Sequence, residues 1–135
     1  MLFGREHVKR YRETNGAEGH EWQPGVYTLL LTTTGRRSGE PYTTPLIYIT
    51  DGDDYVVVAS KGGAPEHPDW YHNLVANPKV EIQVTDQVMA AIARTATSEE
   101  RARLWPRLVE VWPDFDEYQK KTDREIPVVL LTPQR

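Results

Sequence analysis

The sequence predicts an α+β protein, mainly β: a small, partly open antiparallel barrel of about six strands with helices inserted between them. Three observations carry that prediction. Short runs rich in β-branched and aliphatic residues recur in two groups of three, with Gly-, Pro-, Asn- or Asp-containing turns between them. Helical segments fall between strand groups rather than after every strand, so the alternation of a parallel sheet is missing. The chain has 135 residues, 39% of them hydrophobic, which can fill one core while closure of the sheet hides its edges.

Residues 5 to 15 place Arg5, Lys9, Arg10 and Arg12 around Val8 and Tyr11, a short basic helix ended by Asn15-Gly16. It reads as a solvated helix, with peripheral membrane contact the alternative. Polar residues with Gly and Pro make 18–25 a loop, so that 1–25 form an N-terminal helix and loop on a single domain spanning 1–135. Val26 to Thr33 and Tyr42 to Thr50 form a hairpin around Thr34-Gly35-Arg36-Arg37-Ser38-Gly39, and Tyr55 to Ser60 completes a three-strand meander. Lys61 to Pro68 is a loop, and Pro68 suits the first turn of a helix reaching about Ala76. Val80 to Val84 and Val88 to Ala96 make a second hairpin. Thr97 and Glu100 have capping-box spacing before Leu104, Leu108, Val111 and Trp112, a helix that Pro106 should kink. Pro113 opens one or two further turns, and Ile126 to Thr132 is the sixth strand.

Composition excludes several classes of function. Cys is absent, which removes disulfide scaffolds, thiolate metal sites and a Cys nucleophile, and fits a reducing cytoplasm. The longest apolar runs fall far short of the roughly 20 residues that cross a bilayer, and the first residues lack the pattern of a signal peptide. With 16 Lys and Arg against 20 Asp and Glu, the net charge of -4 argues against nucleic-acid binding by the whole surface.

Two loops could carry chemistry. The Gly35–Gly39 turn combines hydroxyls, two guanidiniums and glycines, which suit an anion nest for phosphate or carboxylate; an ordinary charged turn is the alternative. It is not a P-loop. Ala59-Ser60-Lys61-Gly62-Gly63 ends a strand in a hydroxyl and an ammonium, then gives a ligand access to backbone. Both loops could line one mouth of the barrel. Pro45 removes a ladder donor from its strand, at a ligand-facing edge or at a plain edge or bulge. His67 and His72, five apart, do not share a helix face as the paired histidines of a zinc helix do, so no metal is expected. The aromatic stretch Trp105, Trp112, Phe115 and Tyr118 reads as helical core, with a lid over an apolar substrate as the minority reading.

Taken in order, Leu30-Leu31-Thr32-Thr33-Thr34-Gly35-Arg36-Arg37-Ser38-Gly39, Pro45-Leu46, Ala59-Ser60-Lys61-Gly62-Gly63, Pro68-Asp69-Trp70-Tyr71-His72-Asn73-Leu74, Asn77-Pro78, Trp105-Pro106, Thr122-Asp123-Arg124 and Ile126-Pro127 resemble the deazaflavin-dependent nitroreductase family. The resemblance implies a split β-barrel that binds coenzyme F420, an 8-hydroxy-5-deazaflavin with a phosphate and an oligoglutamate tail. It implies hydride transfer from the reduced cofactor to quinones, nitroaromatics or similar electron-poor acceptors. By that likeness Arg36, Arg37 and Ser38 hold the phosphate and acidic tail. Thr44, Pro45 and Leu46 meet the deazaflavin through backbone, with Tyr42, Val58, Ala59, Ser60, Lys61, Asp69, Trp70 and Asn73 around it. Ile47, Trp112, Phe115 and Tyr118 form the substrate pocket. Tyr42 stands where the prodrug-activating nitroreductase of the family has an Arg. Phe115 falls within that enzyme's tyrosine cluster and donates no proton, which favours quinones over bulky nitro compounds.

Hydride transfer asks mainly that donor and acceptor be held together in a dry pocket. Ser60 and Tyr118 are therefore the expected catalytic pair, orienting or protonating a small-molecule acceptor. The rival readings are an FMN-dependent split-barrel reductase, a noncatalytic deazaflavin or small-ligand binding protein, and, weakest, a nucleic-acid module. Oligomeric state and the physiological acceptor stay open at this level.

Overall fold

The structure, a computed structural model, describes residues 2–134 and holds eight strands and four helices among them. Helix α1 (Gly4–Glu13) is followed by β1 (Glu21–Gln23), β2 (Val26–Thr34), β3 (Pro41–Ile47), β4 (Ile49–Asp51) and β5 (Asp54–Val58). A single 3-10 turn at Lys61–Gly63 leads to α2 (Asp69–Ala76), then to β6 (Lys79–Val84) and β7 (Gln87–Thr95). Helices α3 (Ser98–Val111) and α4 (Asp114–Lys120) precede β8 (Val128–Pro133).

Strand pairing is antiparallel throughout, in the order β1-β2-β6-β7-β8-β5-β4, with β3 also on β2. Since β3 runs directly into β4 through Tyr48, one bent chain segment links β2 on one side to β5 on the other and closes the barrel. This is why the expected count of six becomes eight. The run from Tyr42 to Thr50 is not one strand of a meander: β3 pairs with β2, and β4 leaves it to pair with β5. The pivot, Tyr48, keeps its N–H on the Tyr27 carbonyl at 3.0 Å while its hydroxyl meets His20 Nε2 at 2.7 Å. The other added strand, β1, lies in the segment expected to be loop; three polar-aromatic residues carry too little alternation to signal a strand.

Period-2 alternation splits the core in two. Val57, Val129 and Leu131 point into the barrel with Leu29, Leu31 and Ile82. Their neighbours Val56, Val58, Val128 and Leu130 point outward against Leu104 and Leu108 of α3 and Phe115 of α4. Strands β5 and β8 are thus buried on both faces, which explains their unbroken apolar runs.

The capping box at α3 is present: Thr97 Oγ1 accepts from the Glu100 N–H at 3.2 Å, and Glu100 Oε1 accepts from the Thr97 N–H at 2.9 Å. Pro106 does not end α3, which runs on as one element to Val111. Pro68 is the N-cap of α2 rather than a residue of its first turn, with extended backbone at ψ 154°. No helix among the described residues is long and apolar enough to cross a membrane.

Candidate active site

The unpaired edge of β3 organises the site. In the β2–β3 ladder Tyr27 and Tyr48 are opposite and hydrogen-bonded, so alternate pairs, including Leu30–Pro45 and Thr32–Thr43, are the non-bonded ones. Backbone groups of Thr43, Pro45 and Ile47 therefore face away from β2, toward the open edge. Pro45 costs the sheet no hydrogen bond there. The same parity corrects one expectation, since the main-chain groups of Thr44 and Leu46 are turned toward β2.

Two cavities lie along this edge and share Thr44 and Trp70. One, of about 450 Å3, is cationic and lined by the 35–38 turn, Tyr42, Thr43, Asp69 and Asn73. The other, of about 480 Å3, is largely aromatic and aliphatic; Ile47, Val58, Trp112, Phe115 and Tyr118 line it with Ser60 and Lys61.

At the cationic end a side chain at Gly35 would sit 2.5 Å from Ser38 Oγ and 2.6 Å from the Tyr42 ring, so the turn can close only around glycine. Asn73 is buried at the wall of this cavity. Its Oδ1 accepts from the Arg36 N–H at 3.2 Å and from Arg36 Nη1 at 2.9 Å, and its Nδ2 donates to Thr33 Oγ1 at 3.3 Å. Asp69 pairs with Arg36 at 3.5 Å. Both residues line the cavity and hold Arg36 in place there. Arg37 has no protein partner among the described residues, and the N–H groups of Arg37 and Ser38 take no part in the turn's own bonds. Tyr42 stacks its ring over the turn and approaches Ser38 Oγ with its hydroxyl at 3.2 Å.

The wall formed by 58–64 departs from expectation at Ala59. Lys61 lines the cavity and pairs its ammonium with the Glu66 carboxylate at 2.9 Å. Ala59 is fully buried and lies behind the cavity wall, its N–H on the Pro127 carbonyl. Gly63 has φ +84°, and a Cβ there would meet the Tyr118 carbonyl oxygen at 2.6 Å; its absence lets this loop press on α4 and sets Tyr118 beside the Ser60 wall. Tyr118 Oη accepts from Trp112 Nε1 at 3.4 Å.

Sequence reasoning left Arg124 without a role, yet it fixes this loop. It donates to the carbonyls of Ala64 at 2.8 Å, Ala59 at 3.2 Å and Ser60 at 2.7 Å, and to His67 Nδ1 at 2.9 Å. A guanidinium can only donate, so His67 Nδ1 is bare and the ring is neutral. Burial, with the Arg124 charge second, holds the His67 pKa below its usual value. The N-terminal segment also proves to be part of the site. Phe3 packs edge-on against Trp22 at 5.6 Å, Trp22 meets Trp112 at 5.5 Å, and all three line the aromatic cavity with His7. Thr28 Oγ1 donates to the Gly19 carbonyl at 2.6 Å and so accepts from His7 Nε2 at 3.1 Å; burial lowers the pKa of His7.

A cationic turn joined along an open strand edge to an aromatic chamber, on a split barrel, is a site suited to a flat ligand with an anionic end. A profile of the F420H2-dependent quinone reductase family matches residues 2–133, and the chain belongs to that family of oxidoreductases. It is 46% identical to the F420H2-dependent quinone reductase Rv1261c of Mycobacterium tuberculosis over 131 residues, 95% of this chain and 88% of that protein. Among solved structures, the F420-H2 dependent reductase FDR-A is 46% identical with a TM-score of 0.71, covering 77% of this chain and 92% of its own. A domain-swapped dimer is 41% identical with a TM-score of 0.74, covering 94% and 95%.

Proposed function

We propose that this chain reduces quinones with F420H2 bound across the two joined cavities. One observation carries the reading: the cationic and aromatic chambers meet at Thr44 and Trp70, along a strand edge that no other strand covers. The residues present fit the cofactor. Arg37 and the free N–H groups of the turn match a phosphate, with Arg36 held beside them by Asn73 and Asp69. Trp70 and the outward backbone of Thr43, Pro45 and Ile47 suit a flat, hydrogen-bonding ring.

When bound, reduced coenzyme F420 supplies a hydride. The chain does the rest by placement. Ile47, Phe115 and Trp112 keep the acceptor in an apolar chamber that excludes water. Ser60 Oγ and Tyr118 Oη hold protons at the wall of that chamber, where a reduced quinone oxygen needs one. Phe115 contributes packing only.

The experiment is a fluorescence titration with oxidised coenzyme F420 and with FMN, repeated on Arg37→Ala. Arg37 has no hydrogen-bond or ion-pair partner among the described residues, so its loss should leave folding intact while removing a charge-assisted contact to the cofactor. Such contacts are worth about 1.5–3 kcal/mol, or roughly a 10- to 100-fold rise in Kd. FMN preference, or unchanged F420 affinity in the variant, would reject the reading.

A further inference from the structure

We propose that His7 delivers the proton that completes quinone reduction, from its Nδ1 to an oxygen of the acceptor held in the aromatic chamber. The inference rests on the proposed function and adds to it a proton carrier from the N-terminal helix.

The imidazole has a built seat. His7, on α1, is 3% exposed. Its Nε2 lies 3.1 Å from the Gly19 carbonyl and 3.1 Å from Thr28 Oγ1. The Thr28 hydroxyl donates its only proton to that carbonyl at 2.6 Å, so both oxygens accept and Nε2 carries the hydrogen. Gly19 has φ +105°, and a Cβ there would lie 3.0 Å from His7 Cδ2 and Nε2; glycine lets the ring rest against this carbonyl.

With the hydrogen on Nε2, Nδ1 of the neutral ring is a bare acceptor. It has no hydrogen-bond partner among the described residues, and none of their buried side-chain nitrogens or oxygens lacks one. Nδ1 is therefore not sealed in, and its opening is the aromatic chamber that His7 lines. Thr28, which also lines it, stands opposite Ile47 in the β2–β3 ladder, at the strand edge proposed to carry the ring. Fastening α1 does not account for this nitrogen. Tyr11, wholly buried, already ties the helix down, donating to the Thr28 carbonyl at 3.0 Å and accepting from the Thr85 N–H at 2.9 Å.

Transfer of a hydride, two electrons and one proton, to a quinone leaves the hydroquinone monoanion, and one further proton neutralises it. Nδ1 takes that proton from water, because the new negative charge favours the imidazolium, and passes it on: the Nδ1–H bond breaks as the O–H bond forms. Nε2–H stays on its two oxygens throughout, so a single atom loads and unloads. The transfer is downhill. A phenolic oxygen holds its proton with a pKa of about 10, whereas burial keeps His7 below 6.5 against the opposing effect of its bond to Gly19.

The test compares the unaltered chain with His7→Gln, whose amide N–H can still serve the Nε2 partners but which has nothing at Nδ1, and with His7→Phe, which keeps only the packing. Tm and Kd for coenzyme F420 are measured beside reduction of 1,4-naphthoquinone by F420H2 in H2O and in D2O. His7→Gln should keep Tm and Kd and lose kcat roughly 10- to 100-fold, since a positioned general acid contributes about 10²–10⁴-fold and Ser60, Tyr118 and water remain as slower donors. Its solvent isotope effect should rise, because proton delivery then limits the rate. His7→Phe should lower Tm as well, with little further loss of kcat. In nitrogen NMR spectra of the unaltered chain without cofactor, Nδ1 should be the unprotonated nitrogen and should shift when 1-naphthol, a phenol shaped like the product, is added.

Unchanged kcat in His7→Gln would overturn the proposal, as would a rate loss that follows Tm across the two variants with no change in the solvent isotope effect. So would an Nδ1 resonance that 1-naphthol leaves in place. Absence of quinone reduction by the unaltered chain would instead reject the functional reading beneath it, while the Nδ1 shift still decides whether His7 faces the chamber.

Discussion

At the scale of single residues, the site depends on side chains that never face a ligand. Arg124 joins the ends of the 59–67 loop through three carbonyls and one imidazole, and the imidazole must be neutral to accept. A histidine held below its usual 6.5 contributes stability that is complete above that pH and is lost as pH falls through 6.5 toward its folded value. Cofactor affinity should therefore weaken as pH falls below 6.5, where the lowered imidazole finally charges. His67→Asn, whose amide oxygen can accept from Arg124 without titrating, should flatten that profile. Arg124→Gln should raise Kd about 10-fold at all pH values, since it removes charged hydrogen bonds. A pH profile unchanged by His67→Asn would refute the role of the imidazole. Arg36, Arg37 and Ser60 were legible because cations, hydroxyls and glycines cluster within a few positions. Arg124 was not, because its partners lie 57 to 65 residues away and nothing local distinguishes it from a solvated arginine.

At the scale of elements, local chemistry was most readable where an end is written into a few residues. The Thr97–Glu100 box starts α3 as its spacing implied, and Arg94 adds a paired contact to both Glu100 oxygens at 2.7 Å. That ion pair, with the Thr97 N–H, brings the Glu100 pKa down to about 2. A carboxylate lowered on folding stabilises above its unfolded pKa and stops doing so as pH drops through the folded one, here from 4.5 to about 2. Thr97→Ala should remove about 1 kcal/mol and lower Tm by roughly 3–6 °C near neutral pH. Glu100→Gln should be destabilising at neutral pH, and its gap from the unaltered chain should shrink on acid titration. A gap independent of pH would mean that the carboxylate charge is not what matters. Strand ends were less readable. The split at Tyr48 follows from two partners that only the closed barrel brings together, and the sequence there shows an unbroken strand-like run.

At the scale of the molecule, the cleft joins the β3 edge to segments that lie outside the sheet: α1, the 35–40 turn, the 59–64 loop and the junction of α3 with α4. Composition and period could locate a barrel and its two double-faced strands, β5 and β8, but not this convergence. Segments packed on one side only should open locally more often than those strands do. Amides such as Gly39, Gly63, Ala64 and Phe115, bonded within the walls, therefore report opening of the site itself. A ligand that binds only the closed cleft, present at about 100 times its Kd, stabilises it by roughly 2.7 kcal/mol, so exchange of those amides should slow up to about 100-fold. The turn at Gly52-Asp53 lines none of these cavities, and its fraying leaves the cleft intact, so its exchange should not change. Hydrogen exchange with and without coenzyme F420 reads both regions in one experiment. Slowing at 52–53 without slowing at Gly39, Gly63 and Phe115 would put the cofactor elsewhere on the barrel and overturn the assembled cleft.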